Sequence, residues 1–147
     1  MLQVRDFNVL VVEDDEHVRR LLAEHLAERM PIHVDSARDG VEALHQISTT
    51  HYDVVILDVM MPKMSGTDLL DSLKALTSDP SVKSLKELPA ILVITAAPAA
   101  ALPDEMIRKR CPGVLQAIFR KPIDVAALVA AVEKFMERRP SGRRPAG

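Results

Sequence analysis

Four short apolar runs in this chain each close on polar residues of a kind that can do chemistry. VLVV is followed by Glu13, Asp14 and Asp15, VVIL by Asp58, AILVI by Thr95, and AIFR by Lys121. If the runs pair as a parallel sheet, their carboxyl ends share one rim, which is where an open α/β sheet carries its ligand site. That rim holds carboxylates, a hydroxyl and an ammonium. Each group also has a plain structural use: Asp15 can cap a helix, acidic residues complement a helix dipole, Thr95 can cap a turn, and a lysine is ordinarily solvated. Together they ask for more, because Glu13, Asp14 and Asp58 on neighbouring strand ends repel one another at neutral pH without a counter-ion. A hard divalent cation relieves the repulsion, and an all-oxygen set with open coordination positions suits Mg²⁺ and a phosphate oxygen. A carboxylate beside such an ion can be a nucleophile toward a phosphoryl group. Lys121 can then neutralise oxygens of the transferred group, and Thr95 can hydrogen-bond another.

To gather those ends the chain needs alternating strands and helices, and the pattern is there. Short β-rich runs at Asn8 to Glu13, His33 to Ala37, Val54 to Asp58, Ala90 to Thr95 and Ala117 to Arg120 are separated by amphipathic stretches, a (βα)5 order. The expected fold is α/β, a doubly wound parallel five-stranded sheet. VLVVE, VVILD and ILVIT are nearly continuous apolar runs, as central strands covered on both faces require. His33 to Ala37 alternates and should be an edge. Helical stripes are written by Val18, Leu21, Leu22 and Leu26, by Val41, Leu44 and Ile47, by Leu69, Leu70, Leu73 and Leu76, and by Val125, Leu128, Val129, Val132, Phe135 and Met136. Asp15, Asp39 and Asp124 stand at N-cap positions. Pro98, Pro103, Pro112 and Gly113 punctuate the remaining helical region, which predicts an irregular lead-in and a short helix around Asp104 to Arg110.

With 147 residues, 48% apolar and 27% charged, the chain suits one globular domain. Its 19 Lys+Arg against 21 Asp+Glu leave a net charge of -2, which gives no whole-surface case for binding nucleic acid or an anionic membrane. The single cysteine, Cys111, cannot make an internal disulfide or a thiolate zinc site. The histidines, His17, His25, His33, His45 and His51, show no paired metal-ligand spacing. No secretory start opens the sequence and no run of about 18 apolar residues occurs, so the expectation is a soluble, cytoplasmic protein. Residues 1–139 are expected to form the domain. Residues 140–147, with Arg143 and Arg144 among Pro, Ser and Gly, are expected to be a disordered basic tail.

From Asn8 to Arg139 the chain resembles the receiver domain of two-component response regulators. Four motifs carry the resemblance in order: VVEDD at 11–15, LDVMMPKMSG at 57–66, ITA at 94–96 and RKP at 120–122. The resemblance implies a CheY-like, flavodoxin-like strand order 2-1-3-4-5. It implies that Asp58 accepts a phosphoryl group from a phosphohistidine, on a sensor histidine kinase or a histidine phosphotransfer protein. The metal set it implies for Mg²⁺ is Asp14, Asp58, the Met60 carbonyl and, acting through water, Glu13. The resemblance further implies that Thr95 moves toward the phosphate, that Ala96 is small to admit the donor, and that the Lys121-Pro122 bond is cis, a form tolerated before proline. Pro62 and Gly66 look like the turn out of the third strand. The output it implies is altered binding of a downstream protein target, with a phosphorylation-linked dimer allowed, and the expected protein is a self-phosphorylating and self-dephosphorylating switch rather than a turnover enzyme.

Departures from the family pattern accompany the motifs. Ile118 occupies the position, three residues before the lysine, where the family usually has Tyr or Phe. Phe119 cannot substitute, because a side-chain period of two points it to the other sheet face. Thr95 and Lys121 lie 26 residues apart, somewhat long for the family, and the stretch Thr77 to Glu87 is extended. Met60 and Ala97 stand two residues after the phosphoacceptor and the threonine, and neither can orient a hydrolytic water. The same chemistry fits a stand-alone switch or a receiver module cut from a larger regulator or hybrid kinase. A haloacid-dehalogenase-like phosphohydrolase would need a second Asp at the position of Met60. A flavin-binding flavodoxin-like protein would need a phosphate-cradling loop after the first strand, where this chain presents acid.

Overall fold

The computed structural model describes residues 7–59, 68–69, 71–72, 75, 89–110 and 115–138. Five strands, β1 (Asn8–Val12), β2 (His33–Ala37), β3 (Val54–Asp58), β4 (Ala90–Thr95) and β5 (Leu115–Arg120), form one sheet in the order β2-β1-β3-β4-β5. Every neighbouring pair is parallel. The helices are α1 (Glu16–Arg29), α2 (Gly40–Thr49), α3 (Asp104–Arg110) and α4 (Val125–Arg138). Asp68, Leu69, Asp71, Ser72 and Ala75 are also helical.

The near-continuous apolar runs become central strands because helices cover both of their faces, and β1, β3 and β4 are buried almost throughout. On one face Leu10, Val12, Val55, Leu57, Ile91 and Val93 pack against Ala43 and Ile47 of α2, Leu69, and Ile107 of α3. On the other, Val9, Val11, Val54, Ile56, Leu92 and Ile94 pack against Leu22 and Leu26 of α1 and Leu128, Val129, Val132 and Met136 of α4. The alternating run HVDSA lies at the sheet edge, as expected. It is lashed down by the Tyr52 hydroxyl, which donates to Asp35 Oδ2 at 2.7 Å. Below β1, the buried Asp53 accepts from Asn8 N at 2.8 Å while Asn8 Nδ2 donates to the His51 carbonyl at 3.0 Å, fixing where β1 starts against β3.

Capping follows the sequence. Asp15 accepts from the N–H groups of His17 and Val18, Asp39 from Glu42, and Asp124 from Ala127, satisfying donors that a helix start leaves orphaned. Asp104–Arg110 is the short helix that the prolines delimit.

Four details differ from the sequence expectation. The fifth strand begins at Leu115, not Ala117, because the β4 register slips by one residue between Ile91 and Leu92, so that Gln116 is the inserted residue of a bulge. The first strand ends at Val12, one residue before Glu13. Leu21 and Val41, placed on buried stripes, are 44% and 55% exposed. The i, i+4 pair Leu22 and Leu26 already fills the contact of α1 with the sheet, and Leu21 lies about 100° around the helix from Leu22. Leu70, Leu73 and Leu76, Pro62 and Gly66, the Thr77 to Glu87 stretch, Cys111 to Gly113 and the terminal segment 139–147 lie outside the described residues. No helix among the described residues is long and apolar enough to cross a membrane.

Candidate functional site

β1 and β3 are neighbours paired at Val12 and Leu57, so the residues that follow, Glu13 and Asp58, emerge side by side at the carboxyl rim. Glu13, Asp58 and Thr95 are buried, and Asp14 is exposed at the mouth. The carboxylates of Glu13, Asp14 and Asp58 each bring an oxygen within 4.8 Å of the others. Lys121, carried in from the end of β5, places Nζ 2.7 Å from Glu13 Oε1 and 3.2 Å from Asp58 Oδ2. The four residues expected to converge from three strands thus meet in one cluster, and Thr95 closes the neighbouring strand beside them.

Backbone contacts fix the acidic turn. Glu13 N donates to the Ala37 carbonyl at 3.0 Å, and Glu13 Oε2 accepts from Asp15 N at 3.0 Å, so both its backbone and its side chain are held. Arg19 reaches back from α1, its Nη1 donating to the Glu13 carbonyl at 3.0 Å and the Asp14 carbonyl at 3.5 Å. Thr95 Oγ1 accepts from Ala97 N at 3.0 Å, and its carbonyl accepts from Lys121 N at 2.7 Å, tying the ends of β4 and β5 together. The Lys121-Pro122 peptide is cis, as the motif implies.

The electrostatics follow from crowding. Burial, then the hydrogen bond and negative charge of Glu13, raise the Asp14 carboxyl above its ordinary value against the opposing pull of its own backbone N–H and Lys121. For Lys121 burial favours loss of the proton, but the hydrogen bond to Glu13 and the charges of Asp58 and Glu13 together outweigh it, and the ammonium is held above its ordinary value. Asp15 moves the other way: the N–H of Val18, then that of His17, stabilises its charge, which marks it as a cap outside the cluster.

This donor set fits a hard divalent ion. It is all oxygen, and among the described residues the one ammonium, that of Lys121, offsets a single charge of the three gathered carboxylates, leaving two negative charges for a divalent cation to balance. Met60, the fourth residue of the expected metal set, lies outside the described residues.

Two arginines at the site had no assigned role in the sequence reading. Arg19 has no local signal, since it acts across the α1 start on backbone carbonyls. Arg120 lies inside RKP, and its guanidinium spans three acceptors: the carbonyls of Ala97 and Leu102, each at 2.8 Å, and the Asp104 carboxylate. A signal for it existed, because residues 96–103, AAPAAALP, bring no polar side chain to satisfy the carbonyls of their own loop. Ile118 is half-buried on the α2 and α3 face and Phe119 on the α1 and α4 face, as the strand period requires.

The sequence matches the response regulator receiver domain family over residues 9–133. It is 42% identical over 65 residues to sensor protein EvgS of Escherichia coli (strain K12), a match covering 44% of this chain and 5% of that protein. To sensor histidine kinase RcsC of the same organism it is 30% identical over 134 residues, 90% of this chain and 12% of that protein. The receiver domain of the Francisella response regulator 1452 superposes with a TM-score of 0.70 at 25% identity, covering 90% of this chain and 98% of that one. The chain therefore spans only a small part of the sensor proteins it matches.

Proposed function

This chain belongs to the response regulator receiver domain family of two-component systems, and on that premise we propose that Asp58 is its phosphoacceptor and that it signals through phosphorylation-dependent partner binding. The observation that carries the reading is the single ammonium of Lys121 bridging two buried carboxylates on adjacent strand ends, with a third at the mouth. An Asp58 carboxylate oxygen attacks the phosphorus of a phosphoimidazole on a sensor histidine kinase or histidine phosphotransfer protein. The P–O bond forms as the P–N bond breaks, and the imidazole nitrogen keeps the electron pair and takes a proton. Asp14, Asp58 and the Met60 carbonyl, with Glu13 through water, would hold Mg²⁺, which supplies charge neutralisation for the phosphoryl oxygens when bound. Lys121, already against Asp58, pairs with an oxygen of the new acyl phosphate. Thr95 gives its hydroxyl hydrogen bond to another.

The protein is on this reading a cytoplasmic switch, with a downstream protein as its target and a phosphorylation-linked dimer as one route of output. Residues 1–139 form the working domain, and removal of 140–147 leaves folding and phosphorylation intact. Because the matched sensor proteins are much longer, the same site also suits a receiver module of a hybrid kinase, and the length of the native open reading frame separates the two. Incubation with acetyl phosphate and Mg²⁺ followed by intact mass tests the chemistry: wild type gains one phosphoryl group and Asp58→Asn gains none. Equal gain by both removes the assignment.

A further inference from the structure

The loop from Ala96 to Pro103 joins the phosphoacceptor rim to α3, and it is built almost entirely of alanine and proline. Such a segment has no side chain to meet its carbonyls, and those of the half-buried Ala97 and Leu102 must find a donor elsewhere. Its own backbone closes one turn, with the N–H groups of Ala101 and Leu102 donating to the Pro98 carbonyl, and the Pro103 carbonyl takes Met106 N at the start of α3. Arg120 meets two more, those of Ala97 and Leu102. From the last position of β5, Nη1 donates to the Ala97 carbonyl, and Nη2 donates both to the Leu102 carbonyl and to the carboxylate of Asp104, the first residue of α3. A planar guanidinium is suited to hold several acceptors at fixed mutual positions, which an ammonium cannot do.

The loop's other end is the site. Ala97 donates its N–H to Thr95 Oγ1 and offers its carbonyl to Arg120, so one peptide-linked residue connects the hydroxyl at the rim to the clamp. Thr95 cannot turn its oxygen toward a new partner while keeping that N–H unless Ala97 follows. A shift of Ala97 loads the guanidinium that also grips Leu102 and Asp104. Ile118 lies two residues before Arg120 on the same strand and packs on the same α2 and α3 face, but it has no polar atom with which to share this task.

We infer that Arg120 is the positioning residue that couples the state of the Asp58 site to α3, through Ala97, Leu102 and Asp104. The inference rests on the reading of Asp58 as the phosphoacceptor. Arg120 touches none of the reacting groups, so its removal separates two properties. Phosphorylation at Asp58 proceeds, and the response of α3 to it is lost.

The test compares wild type, Arg120→Ala, Arg120→Lys and Asp104→Asn, each with acetyl phosphate and Mg²⁺. Intact mass gives the initial rate of phosphoryl gain, and amide chemical-shift changes on phosphorylation are read at Thr95, Ala97, Met106 and Ile107. The expected result is a rate within twofold of wild type in all four proteins and retained shifts at Thr95. The shifts at Met106 and Ile107 fall at least threefold in Arg120→Ala and less in Arg120→Lys, which keeps a charged donor without the fork, and in Asp104→Asn, which weakens one arm of the clamp. A merely structural role would change the melting temperature and leave the two sets of shifts in proportion. Equal α3 shifts in wild type and Arg120→Ala overturn the coupling while leaving the phosphoacceptor reading standing, as does a wild type that is phosphorylated with no α3 response. Failure of wild type to gain a phosphoryl group at Asp58 overturns both.

Discussion

Replacing Lys121 by methionine keeps most of the apolar stem but removes the ammonium that bridges Glu13 and Asp58. At an effective dielectric of about 20, ion pairs at 2.7 and 3.2 Å are worth about 6 and about 5 kcal/mol before desolvation is counted. Burying the three charges offsets most of that gross attraction. What remains visible when one partner is removed is the cost of stranding the others, about 3–5 kcal/mol for a buried group. Glu13 and Asp58 are both buried here, so the upper half of that range applies in chelator. For a domain of this size the melting temperature should fall by roughly 10 to 15 °C. Mg²⁺ should recover part of the loss, because a ligand at about 100 times its dissociation constant contributes about 2.7 kcal/mol. Urea unfolding of Lys121→Met and wild type, with chelator and with Mg²⁺, measures both quantities. A variant within about 1 kcal/mol of wild type in chelator, the range of a screened surface pair, would refute the claim that Lys121 neutralises the buried carboxylates.

Three further outcomes are expected. Asp14→Ala should melt no lower than wild type in chelator, since deleting one crowded carboxylate relieves repulsion, and should show a smaller Mg²⁺-induced rise in thermal melts. Tyr52→Phe should cost about 1 kcal/mol in urea unfolding, because it loses a hydrogen bond to the exposed carboxylate of Asp35. Burial and the Asp35 bond raise the Tyr52 hydroxyl above its ordinary value, so the folded state binds that proton more tightly than the unfolded state does. This contribution is present below about pH 10 and declines as pH rises above it, and the Phe variant should lack the decline. The paired replacement Met60→Asn with Ala97→Glu should speed loss of phosphate after donor removal, followed by intact mass, because polar side chains at those positions can orient the attacking water. Unchanged decay would show that neither side chain limits hydrolysis.

The sheet was legible because its three central strands are written as nearly unbroken apolar runs, and the rim because each run closes on a polar residue. Asp15, Asp39 and Asp124 announced the helix starts through side-chain capping, which is local and needs no tertiary knowledge. What was not legible depends on distant partners. The β5 start moved to Leu115 because of a register slip against β4, and Leu21 and Val41 stayed exposed because their neighbours had already filled the helix contacts. The Arg120 clamp joins residues up to 23 positions apart, and the loop AAPAAALP signals only that its carbonyls need an outside donor, not which residue supplies it. The acidic cluster could be read as a set of residue types with a shared address, whereas the bridging of Glu13 and Asp58 by Lys121 is a matter of distances that only folding supplies.

On the proposed reading a single carboxylate, Asp58, takes the phosphoryl group. Borohydride reduction of the acetyl phosphate-treated protein, followed by peptide mass mapping, marks that carboxylate directly, because an acyl phosphate is reduced to the alcohol and converts aspartate to homoserine. Homoserine at position 58, dependent on Mg²⁺, with no homoserine at 14 or 15 and no hydroxynorvaline at 13, is the predicted result. Reduction products at Glu13, Asp14 or Asp15 with an intact Asp58, or a protein that gains mass without any reducible acyl phosphate, would contradict it.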